Sequence, residues 1–291
     1  MLIAADWKDY ELLDMSDGEK LERFGEYITV RPDPQVIWRT PKTHPAWESC
    51  HMHYHRSASG GGSWEMKTRV PERCVISYKD LRFNIRPTDF KHMGVFPEQA
   101  VNWDWISQKI KEASVKNGKP PKILNLFAYT GGATLACAAA GASVCHVDAA
   151  KAMNQWAKEN IIASGLAERP VRTISDDVIK FVQREKRRES FYDAVIMDPP
   201  SYGRGPGGEV WKLEDSLFDL VGLCAEILTD APLFFLLNSY TAGLSPTVAE
   251  NILRAQVGKK FAEGKISSGE VGLKAATGFT LPCGVYARAE G

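Results

Sequence analysis

The chain contains 291 residues, 44% hydrophobic and 25% charged, a size that admits one large domain or two modest ones with a sizeable core. No run approaches the roughly 18 to 20 apolar residues of a membrane-spanning helix, and the opening Met1-Leu2-Ile3-Ala4-Ala5-Asp6 has neither the basic leader nor the apolar core of a secretory signal, so a cytoplasmic protein is expected. Thirty-six Lys and Arg balance 36 Asp and Glu, which excludes the broad positive field of a strongly basic nucleic-acid binder and leaves only local contacts to such a partner.

In chain order, residues 1–30 carry eight acids against Lys8, Lys20 and Arg23. Residues 31–91 reverse that balance, with eleven Lys or Arg against six Asp or Glu, interleaved with Trp38, Trp47, Tyr54, Trp64, Tyr78, Phe83 and Phe90. This interleaving predicts either a nucleic-acid surface, with cations on phosphates and rings on bases, or an aromatic core with solvated charges. Prolines, the run Gly60-Gly61-Gly62 and short alternating stretches such as Val75-Ile76-Ser77-Tyr78 and Leu81-Arg82-Phe83-Asn84-Ile85 predict β-hairpins, so residues 1–90 read as a small β-rich domain. Within it, His51-Met52-His53-Tyr54-His55 would put three imidazoles on one side of a strand. No carboxylate or cysteine partner is placed by the sequence, so a polar hairpin face is predicted there and no metal site.

From residue 91 to 291 the texture is different. Pro97 is suited to open a helix through Trp103, Ile106 and Ile110. Strands are predicted at 123–127, 143–147, 171–174, 192–197 and 233–238, with helices at 133–140, 150–164, 177–188 and 214–228 between them, and two closing strands at 270–273 and 285–288. Strands spaced by helices, and apolar at nearly every position, predict a parallel sheet buried on both faces. The six cysteines form no CxxC pair, and neither a disulfide framework nor a zinc module is expected.

In such a sheet ligands bind beyond the carboxyl ends of the strands. Four turns there stand out: Ala128-Tyr129-Thr130-Gly131-Gly132-Ala133, where two glycines let the backbone turn sharply; His146-Val147-Asp148, an acid able to accept both hydroxyls of a ribose; Ser175-Asp176-Asp177, whose first carboxylate can take an adenine amine while the second caps the next helix; and Met197-Asp198-Pro199-Pro200-Ser201-Tyr202. In the last, two prolines fix φ and remove two amide donors, leaving Asp198 and the Pro199 carbonyl as rigid acceptors beside the Tyr202 ring, a site for a planar amine or base. Together these turns predict a pocket for an adenosine-bearing cofactor.

These motifs resemble the class I S-adenosylmethionine-dependent methyltransferases, and more narrowly the bacterial large-subunit rRNA methyltransferases that include the cytosine-5 enzyme. The run Leu124-Asn125-Leu126-Phe127-Ala128-Tyr129-Thr130-Gly131-Gly132 is similar to the first cofactor motif of that family, while Asp148, Asp176-Asp177, Asp198-Pro199-Pro200 and Trp211-Lys212 follow in its order. Lys91-His92-Met93-Gly94-Val95-Phe96-Pro97-Glu98-Gln99 resembles the segment that precedes the catalytic core. The resemblance implies an α/β fold with a Rossmann-like seven-stranded sheet and helices on both faces, with S-adenosyl-L-methionine as cofactor. It also implies that Gly131 and Gly132 face its methionine part, Asp148 holds the ribose and Asp176 the adenine amine, that Phe127, Tyr129, Thr130, Asp177 and Asp198 are among the cofactor-binding residues, that Phe96 and Gln99 close the pocket from the amino-terminal side, and that Asp198, Pro199 and Tyr202 lie at the acceptor.

One departure bears on the reaction. Cytosine C5 chemistry needs a thiolate that first adds to C6, yet the turns after the fourth and fifth strands read Pro200-Ser201 and Ser239-Tyr240-Thr241, without sulfur. Cys283, placed between the closing strands, is the remaining candidate nucleophile, and Cys137 and Cys145 read as packing residues. Methylation of a base nitrogen in RNA, with rRNA as the expected partner, is therefore predicted. A small-molecule or protein acceptor, or an RNA module that binds cofactor without catalysis, are the alternatives. Gly203 to Gly208 reads as a lid beside the acceptor.

Overall fold

Alternation of apolar and polar residues folds the amino-terminal stretch into hairpins. The computed structural model describes residues 1–57, 61–71, 73–204, 210–241, 243–261 and 265–291. The chain forms two compact units, Met1–Val101 with Val271–Cys283, and Asn102–Glu270 with Gly284–Gly291.

The first unit opens with β1 (Leu2–Ile3), followed by β2 (Tyr10–Ser16), β3 (Glu19–Phe24), β4 (Tyr27–Pro32), β5 (Met52–Arg56) and β6 (Gly62–Met66), the last five forming one sheet in that order. Hairpins therefore begin at Tyr10, ahead of the proline-rich stretch that signals them in the sequence. Asp17 and Gly18 sit at φ 52° and 77° between β2 and β3, the pair of left-handed residues a tight hairpin turn requires. The hairpin expected over residues 75–85 is β7 (Cys74–Tyr78) and β8 (Leu81–Ile85). Val271–Cys283 belongs to this unit because Leu2 and Ile3 run parallel to Val271 and Gly272, Ala276 N donates to Leu12 O at 2.9 Å, and Phe279 stacks on Trp38.

The core of this unit holds Leu12, Met15, Leu21, Phe24, Met52, Ile76 and Phe83. Of the seven aromatics between residues 31 and 91, Tyr54, Tyr78 and Phe83 are buried. The half-buried indoles of Trp38, Trp47 and Trp64 donate to Met15 O, Asp14 Oδ2 and Thr88 O, and Phe90 is the exposed ring. Three of the seven thus join the core, and the other four stay partly or fully at the surface.

A buried ion pair crosses the core. Arg31 donates from Nε and Nη2 to both oxygens of Glu22 at 2.7 Å, and Tyr10 adds its hydroxyl at 2.8 Å. Arg31 Nη1 also donates to Lys91 O at 2.9 Å. Burial pushes the Glu22 carboxyl up, but the Arg31 and Lys20 charges and the donated hydrogen bonds outweigh it and hold the pKa at about 2.

The second unit takes in α1 (Ala100–Asn117) after its first two residues; Pro97–Gln99 forms a 3-10 turn ahead of this helix. Then come β9 (Lys122–Leu126), α2 (Gly132–Ala139), β10 (Ser143–Asp148), α3 (Lys151–Ala163), β11 (Val171–Ser175), α4 (Val178–Arg187), β12 (Ala194–Met197), the short strands β13 (Tyr202–Arg204) and β14 (Val210–Lys212), α5 (Leu213–Glu226), β15 (Phe234–Ser239), α6 (Pro246–Val257), β16 (Ile266–Lys274) and β17 (Thr280–Glu290). Elements predicted between 123 and 238 lie within a few residues of these bounds. The sequence reading missed α6, capped by Ser245, and made the closing strands too short.

The sheet holds eight strands, in the order β1-β16-β17-β15-β12-β9-β10-β11, one more than the seven expected because the two-residue β1 adds an edge beside β16; it is parallel from β15 through β11 and antiparallel at β17. The unit boundary falls inside both β16 and β17. Every residue of β12 and β15 is buried, which is why these strands read as unbroken apolar runs. No helix among the described residues is long and apolar enough to cross a membrane.

Glu22→Gln should leave Arg31 buried beside a neutral partner and lower unfolding stability by about 3 kcal/mol, read from urea denaturation at pH 7. In the wild type the contribution of Glu22 is complete above about pH 4.5 and fades as pH falls toward 2, because its folded pKa lies below its unfolded one. The difference between the two proteins should therefore shrink between pH 5 and pH 2.5.

Candidate active site

Within the second unit the chain starts in the middle of the sheet, at β9, fills one side with β10 and β11, then crosses to the other side with β12 and β15. The order reverses between β9 and β12, the place where an open parallel sheet leaves a crevice beyond its carboxyl ends. Register pairs Leu126 with both Val147 and Met197, and Met197 with Leu237. Phe127, Asp148, Asp198 and Asn238 are therefore the next residues at one level on four neighbouring strands.

The β9 turn is strained. Phe127, Tyr129 and Gly131 have φ of 53°, 51° and 90°, and left-handed backbone at two non-glycine residues costs of order 1 kcal/mol or more each unless the surroundings hold it. They do. Ala128 N donates to Val147 O at 3.1 Å, Tyr129 N to Asp148 Oδ2 at 2.8 Å, and Asn160 Nδ2 to Thr130 O at 2.9 Å.

Asp148 also accepts from Ala150 N through Oδ1 at 2.9 Å, so each oxygen holds one backbone N–H and keeps further acceptor directions. Burial pushes its pKa up, with the two N–H bonds opposing. Such a carboxylate fits a ribose diol. Asn154 ties the tips of β10 and β11 together, donating to Asp148 O and to Ser175 Oγ, both at 2.9 Å. Beneath the turn, Asn125 donates to Thr134 Oγ1, which meets His146 Nδ1, each at 2.9 Å. Burial drops the His146 pKa to about 4, keeping the imidazole neutral.

Asp177 caps α4, accepting from Lys180 N at 2.9 Å, while Asp176 forms an ion pair with Arg184. Past β12, Pro199 is buried and Asp198 half-buried. Trp211 donates its indole N–H to Pro200 O at 2.6 Å and packs 5.2 Å from Phe127, and Ser201 Oγ meets Thr241 Oγ1 at 2.7 Å. Tyr202 is 51% exposed on β13, opposite Lys212. Phe96 and Gln99 lie in the first unit, Phe96 beside His92 and Gln99 buried in the 3-10 turn. The lid expected over Gly203 to Gly208 falls largely on residues 205–209, outside the described residues.

One reading changes and another gains a second reason. The glycines, expected to bring backbone close to a ligand, also leave room for packing. A Cβ on Gly132 would lie 2.6 Å from Trp103 Cζ2, and one on Gly131 3.2 Å from Ala157 Cβ. Cys283 lies within β17 rather than between the closing strands, and burial raises its thiol well above the usual range, so it is held as the unreactive thiol. Cys137 and Cys145 are buried and raised for the same reason.

The signal the sequence reading passed over is the set Asn125, Thr134, His146, Asn154 and Asn160, polar residues at positions that strand and helix periodicity would fill with apolar ones. Gly132→Ala should cost about 1 to 3 kcal/mol in chemical denaturation through overlap with Trp103. Asp177→Ala should cost about 1 kcal/mol through the lost cap.

Residues 37–215 match the family described as S-adenosylmethionine-dependent methyltransferase. The crystal structure of the SAM-dependent methyltransferase from Agrobacterium tumefaciens is similar over 99% of this chain and 92% of that one, with 37% identity and a TM-score of 0.91. Ribosomal RNA large subunit methyltransferase K/L of Syntrophotalea carbinolica is 26% identical over 71% of this chain and 29% of that protein. Ribosomal RNA large subunit methyltransferase I of Photobacterium profundum is 35% identical over 53% of this chain and 34% of that one. The chain thus spans about a third or less of the length of these curated relatives. With more than half of its residues in the matched region and the strand-end geometry described above, it belongs to the S-adenosylmethionine-dependent methyltransferase family.

Proposed function

We propose that this chain methylates a nitrogen of an RNA base, with ribosomal RNA as the acceptor class. The observation that carries this reading is the common level of Asp148 and Asp198 on either side of the strand-order reversal, one acid suited to a ribose and the other to a planar amine. The printed names of the rRNA methyltransferase relatives support the acceptor class.

When bound, S-adenosylmethionine supplies an electrophilic methyl group on a sulfonium. Asp148 accepts the ribose hydroxyls, held in place by Tyr129 N and Ala150 N. The strained turn at Phe127, Tyr129, Thr130 and Gly131 faces the methionine part, and Asp176 is the candidate for the adenine amine, its carboxylate fixed just ahead of α4 by the ion pair with Arg184 from the last turn of that helix. Gly132 and Asp177 support the pocket through packing and capping.

Asp198 and the Pro199 carbonyl accept the N–H groups of the target amine and orient its lone pair, with Tyr202 stacked on the base. With the methyl donor bound, Asp198 would hold the acceptor nitrogen in line with the methyl group, and the proton lost from that nitrogen would pass to Asp198 or to water. In-line positioning supplies most of the acceleration, and no covalent enzyme intermediate is needed. Ser201 and Tyr240 at the places where a thiol would sit, and the raised pKa of Cys283, favour nitrogen over cytosine C5. The first unit, with its surplus of cations between residues 31 and 91, supplies phosphate contacts.

Tritiated methyl transfer to total RNA, to protein and to a metabolite extract tests the acceptor class; label in RNA, recovered as an N-methylated nucleoside, is expected, and label confined to protein or metabolites overturns it. Asp198→Ala should lower turnover by about 100-fold or more while calorimetry shows S-adenosylhomocysteine bound as in the wild type. Asp148→Ala should instead abolish that binding.

A further inference from the structure

The histidine run in the first unit is left unused by methyl transfer. On β5, Met52 and Tyr54 point into the core and His53 and His55 point outward, as strand alternation requires. His51 precedes the strand and leaves the set, its Nδ1 accepting from Ile28 N at 3.0 Å.

The carboxylates absent from the local sequence arrive from other strands. Register places Glu65 of β6 directly opposite His53, and Glu65 Oε2 accepts from His55 Nε2 at 2.9 Å. Glu19, the first residue of β3, accepts from His53 Nε2 at 2.6 Å and is itself held by Lys42 Nζ at 2.6 Å. The two imidazoles stand with ring centroids 4.0 Å apart. Donor atoms of His53, His55 and Glu65 all lie within 4.8 Å of one another.

We propose that His53, His55 and Glu65 form a binding site for a first-row transition-metal dication such as Zn²⁺, with Glu19 as the residue that orients the His53 ring. Two imidazole nitrogens and one carboxylate are the ligand set of Zn²⁺, Co²⁺, Ni²⁺ or Cu²⁺; Mg²⁺ and Ca²⁺ want oxygen throughout. Around Zn²⁺, with bonds of about 2.0 to 2.2 Å, ligand atoms sit roughly 3.3 Å apart, so the set must contract by about 1.5 Å. His55 and Glu65, 51% and 52% exposed, are free to swing inward, while His53 and Glu19, 20% and 24% exposed, form the fixed side. A carboxylate on a ligating histidine is a common orienting partner. The ion displaces the proton between His55 and Glu65, the hydrogen bond from His53 to Glu19 is kept, and a fourth position stays open to water.

The test uses the full chain without a histidine tag, treated with chelator and dialysed against Zn²⁺ or Co²⁺. Near-stoichiometric Zn²⁺, visible absorption from low-coordinate Co²⁺, a rise in Tm with Zn²⁺ and no competition by Mg²⁺ are expected. The double variant His53→Ala/His55→Ala should lose this binding, and Glu65→Gln should weaken it by more than about tenfold, while Cys74→Ser leaves it unchanged. Circular dichroism and S-adenosylhomocysteine binding check that each variant folds, and Glu65→Gln carries the test alone should the double variant fail to fold. Zn²⁺ uptake no greater than buffer background, or uptake that both His/Glu variants retain, overturns the proposal.

Discussion

Parallel strands buried on both faces can present polar chemistry only at their ends, and the second unit is organised by that constraint. β9, β12 and β15 are apolar along their length except at Lys122, Asn125, Asn238 and Ser239. Every group suited to hold a polar ligand is consequently pushed to the level of Phe127, Asp148 and Asp198, where the ladder stops. The reversal of strand order between β9 and β12 puts that level where ligands bind in open parallel sheets.

Holding backbone in a left-handed conformation at Phe127 and Tyr129 requires surroundings that leave no alternative. A buried hydrogen-bond network meets that need. Asn160 grips the Thr130 carbonyl, Asp148 grips the Tyr129 amide, and Asn154 joins the β10 and β11 tips, so the turn is fixed before any cofactor arrives. On the proposed function, binding energy is then not spent on ordering the loop. Gly131 and Gly132 contribute by letting Ala157 and Trp103 close in from behind.

The first unit solves a different problem. Its hairpins bury an Arg31–Glu22 pair satisfied by Tyr10 and the Lys91 carbonyl, and pairs of this kind favour one arrangement of the strands because removing either partner strands a buried charge. On the outer side of the same sheet, β3, β5 and β6 bring Glu19, the two histidines and Glu65 together. One sheet thus separates an internal ionic network from an external nitrogen-and-carboxylate cluster.

The sequence by itself determined the alternation of strand and helix from residue 122 to 239, because apolar runs bounded by glycine, proline and acids are local signals that burial on both faces imposes. It also determined which acids end the strands, since Asp148, Asp176 and Asp198 follow directly from those boundaries. Only the tertiary structure decided what packs against the glycines, because Trp103 lies about thirty residues upstream and reaches Gly132 by packing. Register between strands distant in sequence, which no local pattern encodes, likewise decided that His53 and His55 meet Glu65 and Glu19 while His51 does not.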